Sequence, residues 1–305
     1  MKTLSIVIPC YNEEETVQKF YDETKQWMEK VPADIEYVFV DDGSRDRTLP
    51  ILKEMAEQDD DVHYISFSRN FGKEAAILAG FQYAKGDAVV LIDADLQHPP
   101  SLIPMMWKHF EDGYDQVIAK RNRAGEKFTR RKLTNVYYKL VNRLVEVEIT
   151  DGVGDFRLLS RQALDALLSL TEYNRFSKGL FSWIGFHEKM IEYENQVRVE
   201  GASKWSFASL LNYGMDGILS FNNKPLRIAI YSGIGITMFG FIYILITLVN
   251  YFINGVETPG YFTTISAIIL LGGIQLLFLG IIGEYIGRIY YETKRRPQYL
   301  VKEKN

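Results

Sequence analysis

Two carboxylates stand close together at the end of an apolar stretch, in the segment LIDADLQHPP from Leu91 to Pro100. Asp93 and Asp95 are two positions apart, and side chains with that spacing in an extended strand project to the same side. Gln97 adds an amide oxygen. Carboxylate and amide oxygens are the ligands that hard divalent cations prefer. The segment therefore predicts a Mg²⁺ or Mn²⁺ site formed by Asp93, Asp95 and Gln97, where the ion would neutralise a leaving diphosphate.

Two earlier apolar stretches also end in acidic residues, at Glu13 and at Asp41-Asp42. In parallel α/β sheets, ligands bind beyond the carboxyl ends of the strands. Taken singly, each acidic end has a structural alternative, since Asp-Asp-Gly-Ser is favourable turn and helix-cap chemistry and Asp95 can cap the segment that follows it. Three acidic ends at one edge favour a cation, because crowded like charges cost free energy without one.

The elements that would position these residues alternate between strand and helix over the first 92 residues. Short β-rich stretches are separated by longer polar or amphipathic ones, which is typical of a parallel α/β sheet. Neither the dinucleotide fingerprint G-x-G-x-x-G nor a Walker P-loop occurs. The predicted strands are Leu4–Pro9, Glu36–Val40, Val62–Phe67 and Ala88–Ile92, and the predicted helices cover residues 14–30, 49–58 and 73–85.

Composition excludes several classes of protein. The chain has 305 residues and a formal net charge of −4, so we expect no nucleic acid among its partners. A single cysteine, Cys10, excludes a disulfide framework, and the four histidines lack the spacing of a zinc site.

Two long stretches near the C-terminus contain no charged residue, Ile228–Val256 and Thr258–Gly283. Each exceeds the ~20 residues that cross a ~30 Å hydrocarbon core, although buried helices of a soluble protein are the alternative. Lysines and arginines flank the pair on its outer sides, which predicts that both ends are cytoplasmic. The expected domains are a cytoplasmic catalytic domain at 1–205, a juxtamembrane amphipathic helix at 206–224, a two-span hairpin at 225–290 and a basic tail at 291–305.

A basic amphipathic stretch runs from Gly125 to Val145. Its apolar residues recur at helical spacing, with lysines and arginines on the remaining faces. Such a helix suits a membrane interface with anionic headgroups, and a core helix with a solvated charged face is the alternative.

The ordered motifs SIVIPCYNEEE, VFVDDGSRDRT, FSRNFGKEAAILAGFQYAKGD, LIDADLQHPP, VGDFRLLSR, GLFSWIG and GEYIGRIY cover nearly the whole chain. In these motifs it resembles the family-2 glycosyltransferases that load polyprenyl phosphates, above all the bactoprenol glucosyltransferase group, relatives of dolichol-phosphate mannose synthase. The resemblance implies a GT-A fold, with a Rossmann-like mixed sheet, followed by a transmembrane hairpin. It also implies inverting transfer of a hexose, glucose first, from a UDP-sugar to undecaprenyl phosphate on the cytoplasmic leaflet of the plasma membrane, for modification of a cell-envelope glycan.

The resemblance also implies roles for individual residues. Asp155 occupies the position usually proposed as catalytic, with Arg157 beside it and Arg121 reaching the phosphates. Asp155 can act as a base or as an orienting group, and a purely structural turn at DGVGDF is a third reading. Independently of the resemblance, the charge and spacing of the basic amphipathic stretch place Arg130 and Arg131 at the acceptor phosphate. The residues expected to bind the donor nucleotide-sugar are Pro9, Tyr11, Glu13, Asp42, Asp93, Ala94 and Lys204, the last in an EGASKW segment that departs from the Q-x-x-R-W motif of many relatives.

Several functional alternatives stay open at the level of sequence. The same reaction with N-acetylglucosamine is one, a processive polysaccharide synthase is another, and a non-catalytic membrane scaffold with a nucleotide-sugar fold is a third. The expected partners are the nucleotide sugar, undecaprenyl phosphate, further copies of the chain, a separate flippase and a downstream glycosyltransferase.

Overall fold

Eight strands form one mixed sheet in the computed structural model, which describes residues 1–122, 152–194, 224–254 and 260–305. The order across the sheet is β7-β5-β6-β4-β1-β2-β3-β8. Strands β1 to β4 are mutually parallel, whereas β6 runs antiparallel to β4 and β5, and β8 antiparallel to β3. The strands are β1 Thr3–Cys10, β2 Asp34–Asp41, β3 Val62–Phe67, β4 Ala88–Leu91, β5 Gln116–Asn122, β6 Val153–Ser160, β7 Glu188–Glu194 and β8 Val301–Lys304.

Helices cover both faces of this sheet, and side chains from alternate positions of each strand pack against them. Ile6 and Ile8 face the cluster that contains α1 and α4, whereas Val7 faces the cluster that contains α3. Because both faces are covered, the central strands are apolar at nearly every position. The helices are α1 Val17–Met28, α2 Thr48–Gln58, α3 Lys73–Tyr83, α4 Ile103–Glu111, α5 Arg161–Ser169, α6 Ser177–Trp183, α7 Lys224–Asn254 and α8 Tyr261–Lys294.

Helix α3 packs unusually close to the centre of the sheet. Its middle consists of alanines and other small or apolar residues, and Ala75 to Phe81 are all buried. Gly80 is required by this packing, because a Cβ atom there would lie 2.2 Å from the Cγ1 atom of Val7. The close contact fixes the first residue of the helix, Lys73, near the carboxyl ends of β1 and β4.

The strand and helix predictions are confirmed for the first 92 residues, with boundary shifts of up to three residues. The parallel arrangement predicted from alternation holds for β1 to β4, and the mixed sheet implied by the resemblance is confirmed by β6 and β8. One premise was wrong: β4 ends at Leu91, so Asp93 and Asp95 lie in a turn, not on a strand. Leu96, with φ of 57°, gives this turn its left-handed residue.

Helices α7 and α8 form the apolar C-terminal part of the chain. Among the described residues, one stretch is long and apolar enough to cross a membrane, Leu270–Lys294 within α8, with a mean hydropathy of 1.6. Helix α7 contributes a shorter apolar stretch, Ala229–Tyr243. The two-span arrangement therefore stays a prediction, and both its turn at 255–259 and the juxtamembrane segment up to residue 223 lie outside the described residues.

The C-terminal tail returns to the sheet. After α8 ends at Lys294, β8 pairs antiparallel with β3 at the sheet edge. Glu303 accepts a 2.6 Å hydrogen bond from Lys53 on α2. The sheet thus includes residues from both ends of the chain.

Candidate active site

The loops that follow β1 and β2 are tied to each other at the carboxyl edge of the sheet. Asn12 has φ of 52°, and its Oδ1 atom accepts a 2.9 Å hydrogen bond from the backbone of Arg45. Its own N–H donates to Ser44 Oγ at 2.9 Å, and the N–H of Glu13 donates to Thr48 Oγ1 at 2.8 Å. These bonds tie the β1 loop, which carries predicted donor residues, to the β2 loop.

Those predicted donor residues differ in exposure. Pro9 is buried at the end of β1, whereas Tyr11 and Glu13 on the loop are half-buried. The Glu13 carboxylate accepts a 2.9 Å hydrogen bond from Thr16 Oγ1 at the start of α1. Ala94 is 2% exposed and packs in the core beneath the turn that follows β4.

The paired acids at the end of β2, Asp41 and Asp42, are buried. Asp41 accepts hydrogen bonds from Ser44 N–H at 3.0 Å and from Ser66 Oγ at 2.7 Å. Asp42, only 3% exposed, accepts the N–H groups of Phe71 at 2.6 Å and Gly72 at 2.9 Å. Burial raises the pKa of Asp42 to about 6, although these two backbone donors favour its ionised form. In this structure, Asp42 anchors the loop that leads into α3.

Lys73 brings together two predicted site residues from different strands. Its ammonium group donates to Asp93 at 2.8 Å and to Asp155 at 2.7 Å. Asp93 follows β4 and Asp155 lies on β6, so one cation joins the carboxyl end of the parallel half of the sheet to the antiparallel half. The Lys73 side chain is 42% exposed, against 23% for Asp93 and 17% for Asp155, so the bridge faces an open surface.

The charge state of Asp155 follows from this contact. Burial acts to raise the pKa of Asp155, but the Lys73 and Lys178 cations outweigh it and hold that pKa well below its usual range. Burial likewise acts to lower the pKa of Lys73, whereas Asp93 and Asp155 raise it above its usual range. Both groups are therefore ionised at neutral pH.

Asp95 and Gln97 lie on the turn between β4 and the short 3₁₀ segment before α4. The Oδ1 atom of Asp95 accepts the N–H of Gln97 at 3.1 Å, which orders the turn. Within the described ranges, no group of three His, Cys, Asp or Glu side chains is arranged as a ready metal cage. Mg²⁺ usually binds through one or two carboxylates together with substrate phosphates, so Asp95, Gln97 and the neighbouring Asp93 still fit such an ion as a donor set.

Arg157 lies behind Asp155 and does not reach the open surface. It is 2% exposed, its guanidinium carbon lies 3.7 Å from the ring centroid of Phe181, and Nη2 donates to the carbonyl of Gly154 at 2.9 Å. Burial lowers the pKa of Arg157 to about 10, and Asp155 opposes that shift. Arg157 is therefore enclosed beside Asp155, and its catalytic role stays a prediction.

Arg121 lies near the end of β5, beside the turn that leads to Asp155. Its backbone N–H donates to the carbonyl of Gly152 at 2.9 Å. Gly152 has φ of 79°, and a Cβ atom there would lie 2.7 Å from the Arg121 carbonyl oxygen. Glycine is therefore needed at 152 to bring these two segments together.

The structure adds three residues that the sequence did not single out as site residues, Lys73, His98 and Tyr193. His98 Nδ1 lies 2.7 Å from the Tyr193 hydroxyl, and its Nε2 lies 3.9 Å from Asp93. Burial lowers the pKa of His98, against the opposing effect of Asp93 and Asp95. A lysine at the first position of a helix is unfavourable for the helix dipole, and that was a readable signal for Lys73. Tyr193 carries no such local signal.

Three predicted site residues, Lys204, Arg130 and Arg131, lie outside the described residues, as does the amphipathic stretch at 125–145. The structure therefore brings together Asp93, Asp95, Gln97 and Asp155 at one edge, with the Arg121 backbone nearby.

Two family models match this chain. Residues 5–168 match the model described as glycosyl transferase family 2, and residues 224–289 match the one described as the GtrB C-terminal hairpin. The first match covers Asp93 and the strand that carries Asp155, and the second covers α7 and most of α8.

Curated proteins resemble the chain over nearly its whole length. One from Bacillus subtilis (strain 168), which carries the provisional name of glycosyltransferase CsbB, is 59% identical over 99% of this chain and 92% of its own. The bactoprenol glucosyl transferase of Shigella phage SfV is 41% identical over 98% of both chains. Among solved structures, glucosyl-3-phosphoglycerate synthase from Mycobacterium tuberculosis in complex with phosphoglyceric acid has a TM-score of 0.49 and 18% identity, over 72% of this chain and 78% of that one.

Proposed function

The chain belongs to glycosyl transferase family 2, and from this premise we propose that it transfers a hexose, glucose first, from a UDP-sugar to undecaprenyl phosphate. The observation that carries the proposal is the 41% identity, over 98% of both chains, to a protein named bactoprenol glucosyl transferase. The likeness extends across the hairpin as well as the catalytic domain, and a lipid-linked acceptor requires both parts.

On the donor side, the proposal assigns the nucleotide to the loop that follows β1, with Pro9, Tyr11 and Glu13, and assigns Lys204 to the donor phosphates. Asp42 supports the neighbouring loop through Phe71 and Gly72. The remaining proposed donor contacts lie on the turn after β4, at Asp93 and Ala94.

A divalent cation, Mg²⁺ or Mn²⁺, would be held by Asp95 and Gln97, with Asp93 assisting. When bound, such an ion supplies positive charge that stabilises a leaving diphosphate. Arg121 would add a guanidinium, whose planar fork suits phosphate oxygens. Electrostatic stabilisation is the main requirement here, because two anionic substrates must approach each other.

Asp155 has a different task from that of a general base. A phosphate monoester has its second pKa near ~6, so the acceptor oxygen is largely ionised at neutral pH and already nucleophilic. Asp155 accepts a 2.7 Å hydrogen bond from the Lys73 ammonium group. It would therefore hold this cation at the edge of the sheet where the phosphates of the two substrates meet. In the proposed reaction, Asp155 orients Lys73 and the sugar, and the acceptor oxygen attacks the anomeric carbon from the face opposite the departing UDP.

The acceptor and its surroundings complete the proposal. Undecaprenyl phosphate stays in the bilayer, with Arg130 and Arg131 at its phosphate, and the catalytic domain lies on the cytoplasmic side of the plasma membrane, anchored by a two-span hairpin. The lipid-linked sugar would then require a flippase and a downstream glycosyltransferase, and copies of the chain would associate through the glycine-containing faces of the hairpin.

The test is the mass of the lipid product. Membranes that contain the protein are supplied with undecaprenyl phosphate and, separately, with UDP-glucose, UDP-N-acetylglucosamine and UDP-galactose, with the Asp95→Asn variant as control. We expect a hexosyl product from UDP-glucose. A product from UDP-N-acetylglucosamine alone would replace the sugar assignment, and neither product nor donor hydrolysis with any sugar would indicate a non-catalytic scaffold.

A further inference from the structure

Lys73 extends from a backbone that hydrogen bonds fix in place. The residue before it, Gly72, has φ of 98°, and its N–H and that of Phe71 are fixed by the buried carboxylate of Asp42. These hydrogen bonds therefore fix the backbone at the start of α3. The lysine side chain has a flexible four-carbon stem and is 42% exposed. A change of rotamer would therefore let its ammonium group change partner without any change in the fold.

The position of Lys73 on its helix does not serve helix stability. A cation in the first turn opposes the helix dipole, which favours negative charge there. The lysine is compensated by two carboxylates from elsewhere in the chain, Asp93 and Asp155, at 2.8 and 2.7 Å. Its location is therefore explained by those two partners.

Several charged groups meet at this edge. Asp93 and Asp155 share the Lys73 ammonium group, and the Lys178 and Arg157 cations also act on Asp155. A divalent cation proposed to bind Asp95 and Gln97 would use Asp93 as an assisting ligand. Lys73 already occupies Asp93, however, and thus competes with such a cation for one of its proposed ligands.

We propose that Lys73 is a placeholder cation, which occupies Asp93 in the substrate-free protein and releases it when the metal arrives together with the donor diphosphate. Lys73 then keeps Asp155 as its partner and turns its freed hydrogen bonds towards a phosphate. The inference rests on the proposed function for the identity of the diphosphate, but the competition at Asp93 needs no acceptor. Its consequence is that free metal binds weakly, whereas metal and nucleotide bind cooperatively.

Metal binding alone tests the competition. Mn²⁺ is titrated into the full-length protein in detergent, without and then with UDP, and free Mn²⁺ is followed by electron paramagnetic resonance. We expect Lys73→Met to bind Mn²⁺ in the absence of UDP at least about tenfold more tightly than the parent, because a like charge near the ligands is removed. The factor by which UDP strengthens Mn²⁺ binding should fall in the same variant.

Three further variants make the result specific. The control is Lys25→Met. Lys25 lies on α1, is paired with Asp59 and is distant in sequence from the turn that carries Asp95, so its replacement should leave Mn²⁺ affinity unchanged. Adding Asp95→Asn to Lys73→Met should abolish the gain, because the metal then lacks its main ligand. Lys73→Gln, which keeps a hydrogen-bonding side chain, should also bind Mn²⁺ more tightly than the parent. It replaces Lys73→Met in the test if the Met variant does not fold.

Unchanged or weaker Mn²⁺ binding in a folded Lys73→Met or Lys73→Gln protein would overturn the inference. The outcome is separate from that of the proposed function. If the parent protein makes no lipid-linked sugar but the lysine variants gain Mn²⁺ affinity, the acceptor assignment fails and the placeholder stands. If the parent makes the lipid-linked sugar and the lysine variants show no gain in Mn²⁺ affinity, the acceptor assignment stands and the placeholder role of Lys73 fails.

Discussion

The ring of Tyr299 lies stacked on that of Phe67, with centroids 4.8 Å apart and an interplanar angle of 17°. The two residues are joined through the sheet, since Tyr299 precedes β8 and Phe67 ends β3. The Tyr299 hydroxyl also donates to Gln82 on α3. The end of the chain, which follows the apolar helix α8, is thus packed directly against the catalytic sheet.

We therefore expect Tyr299→Ala to lower the free energy of unfolding of the catalytic domain by about 1–2 kcal/mol, since it removes an aromatic pair and half-buried apolar area. Tryptophan fluorescence during denaturant unfolding measures the change. Leu300→Ala is the matched control, because the Leu300 side chain is exposed and should cost little. Equal effects of the two substitutions would show that the stacked pair does not hold the tail.

Asp95→Asn tests the metal assignment. The amide keeps the size of the side chain but loses the charge, so we expect turnover to fall at least about a hundredfold while the protein still folds. Excess EDTA should have the same effect on the parent protein. Asp60→Asn, on the exposed turn before β3, is the control and should retain activity. Full activity of the parent protein in excess EDTA would refute a metal-dependent reaction.

The pH dependence of turnover distinguishes an orienting Asp155 from a basic one. The Lys73 cation holds the pKa of Asp155 well below its usual range, so Asp155 is ionised throughout pH 5–8 and contributes no change there. Turnover at saturating substrates should instead rise with pH through about 6, as the acceptor phosphate loses its second proton. Asp155→Asn should lower the plateau and leave the midpoint in place.

Asp165→Asn, on the exposed side of α5, should change neither the plateau nor the midpoint. If the rise in turnover near pH 6 disappears in Asp155→Asn, then Asp155 itself is the titrating base and the orienting role is wrong.

Much of the fold could be predicted from local pattern, because β1 to β4 are continuous apolar stretches that alternate with helices. The antiparallel strands could not. β8 pairs with β3 although Lys304 and Ile65 are far apart in sequence, and no local signal specifies so distant a partner.

The site was predictable in its residue types but not in its geometry. Asp93 and Asp95 were recognised, yet the strand premise for them failed because β4 ends at Leu91, before both residues. The contact of Lys73 with Asp155 spans 82 positions, so only the folded sheet reveals it. Arg157 was placed beside Asp155 from sequence, but only the folded structure shows that its guanidinium lies against the ring of Phe181.

Topology is tested by tags read in sealed right-side-out cells. A tag at Met1 and one after Asn305 should both be protected, and a tag inserted near Gly255 should be accessible, if the hairpin crosses the membrane twice. The C-terminal tag belongs after Asn305 because an insertion at Tyr299 would disrupt the packing of the tail on Phe67. An accessible C-terminus would establish a single span through α8 and refute the hairpin topology.

The acceptor is tested at Arg130 and Arg131, which lie in the basic amphipathic stretch that starts at Gly125. The polyprenyl chain stays in the bilayer, so its phosphate is met at headgroup depth, where a guanidinium can hold it with two hydrogen bonds. Replacing both arginines with Ala should raise the apparent KM for undecaprenyl phosphate about tenfold or more, and that for the nucleotide sugar much less. A double Lys replacement should recover only part of the loss, because it restores charge without the planar fork.

The apolar face of the same stretch gives an independent measurement. Replacing Leu133 and Leu140 with Gln should weaken use of the long-chain acceptor through lost interfacial burial, at ~25 cal/mol per Å². The defect should shrink with a short, water-soluble prenyl phosphate, because membrane docking no longer contributes to its binding. If the arginine variants change only the KM of the nucleotide sugar, the stretch belongs to the donor site, and the acceptor must be bound elsewhere on the catalytic domain.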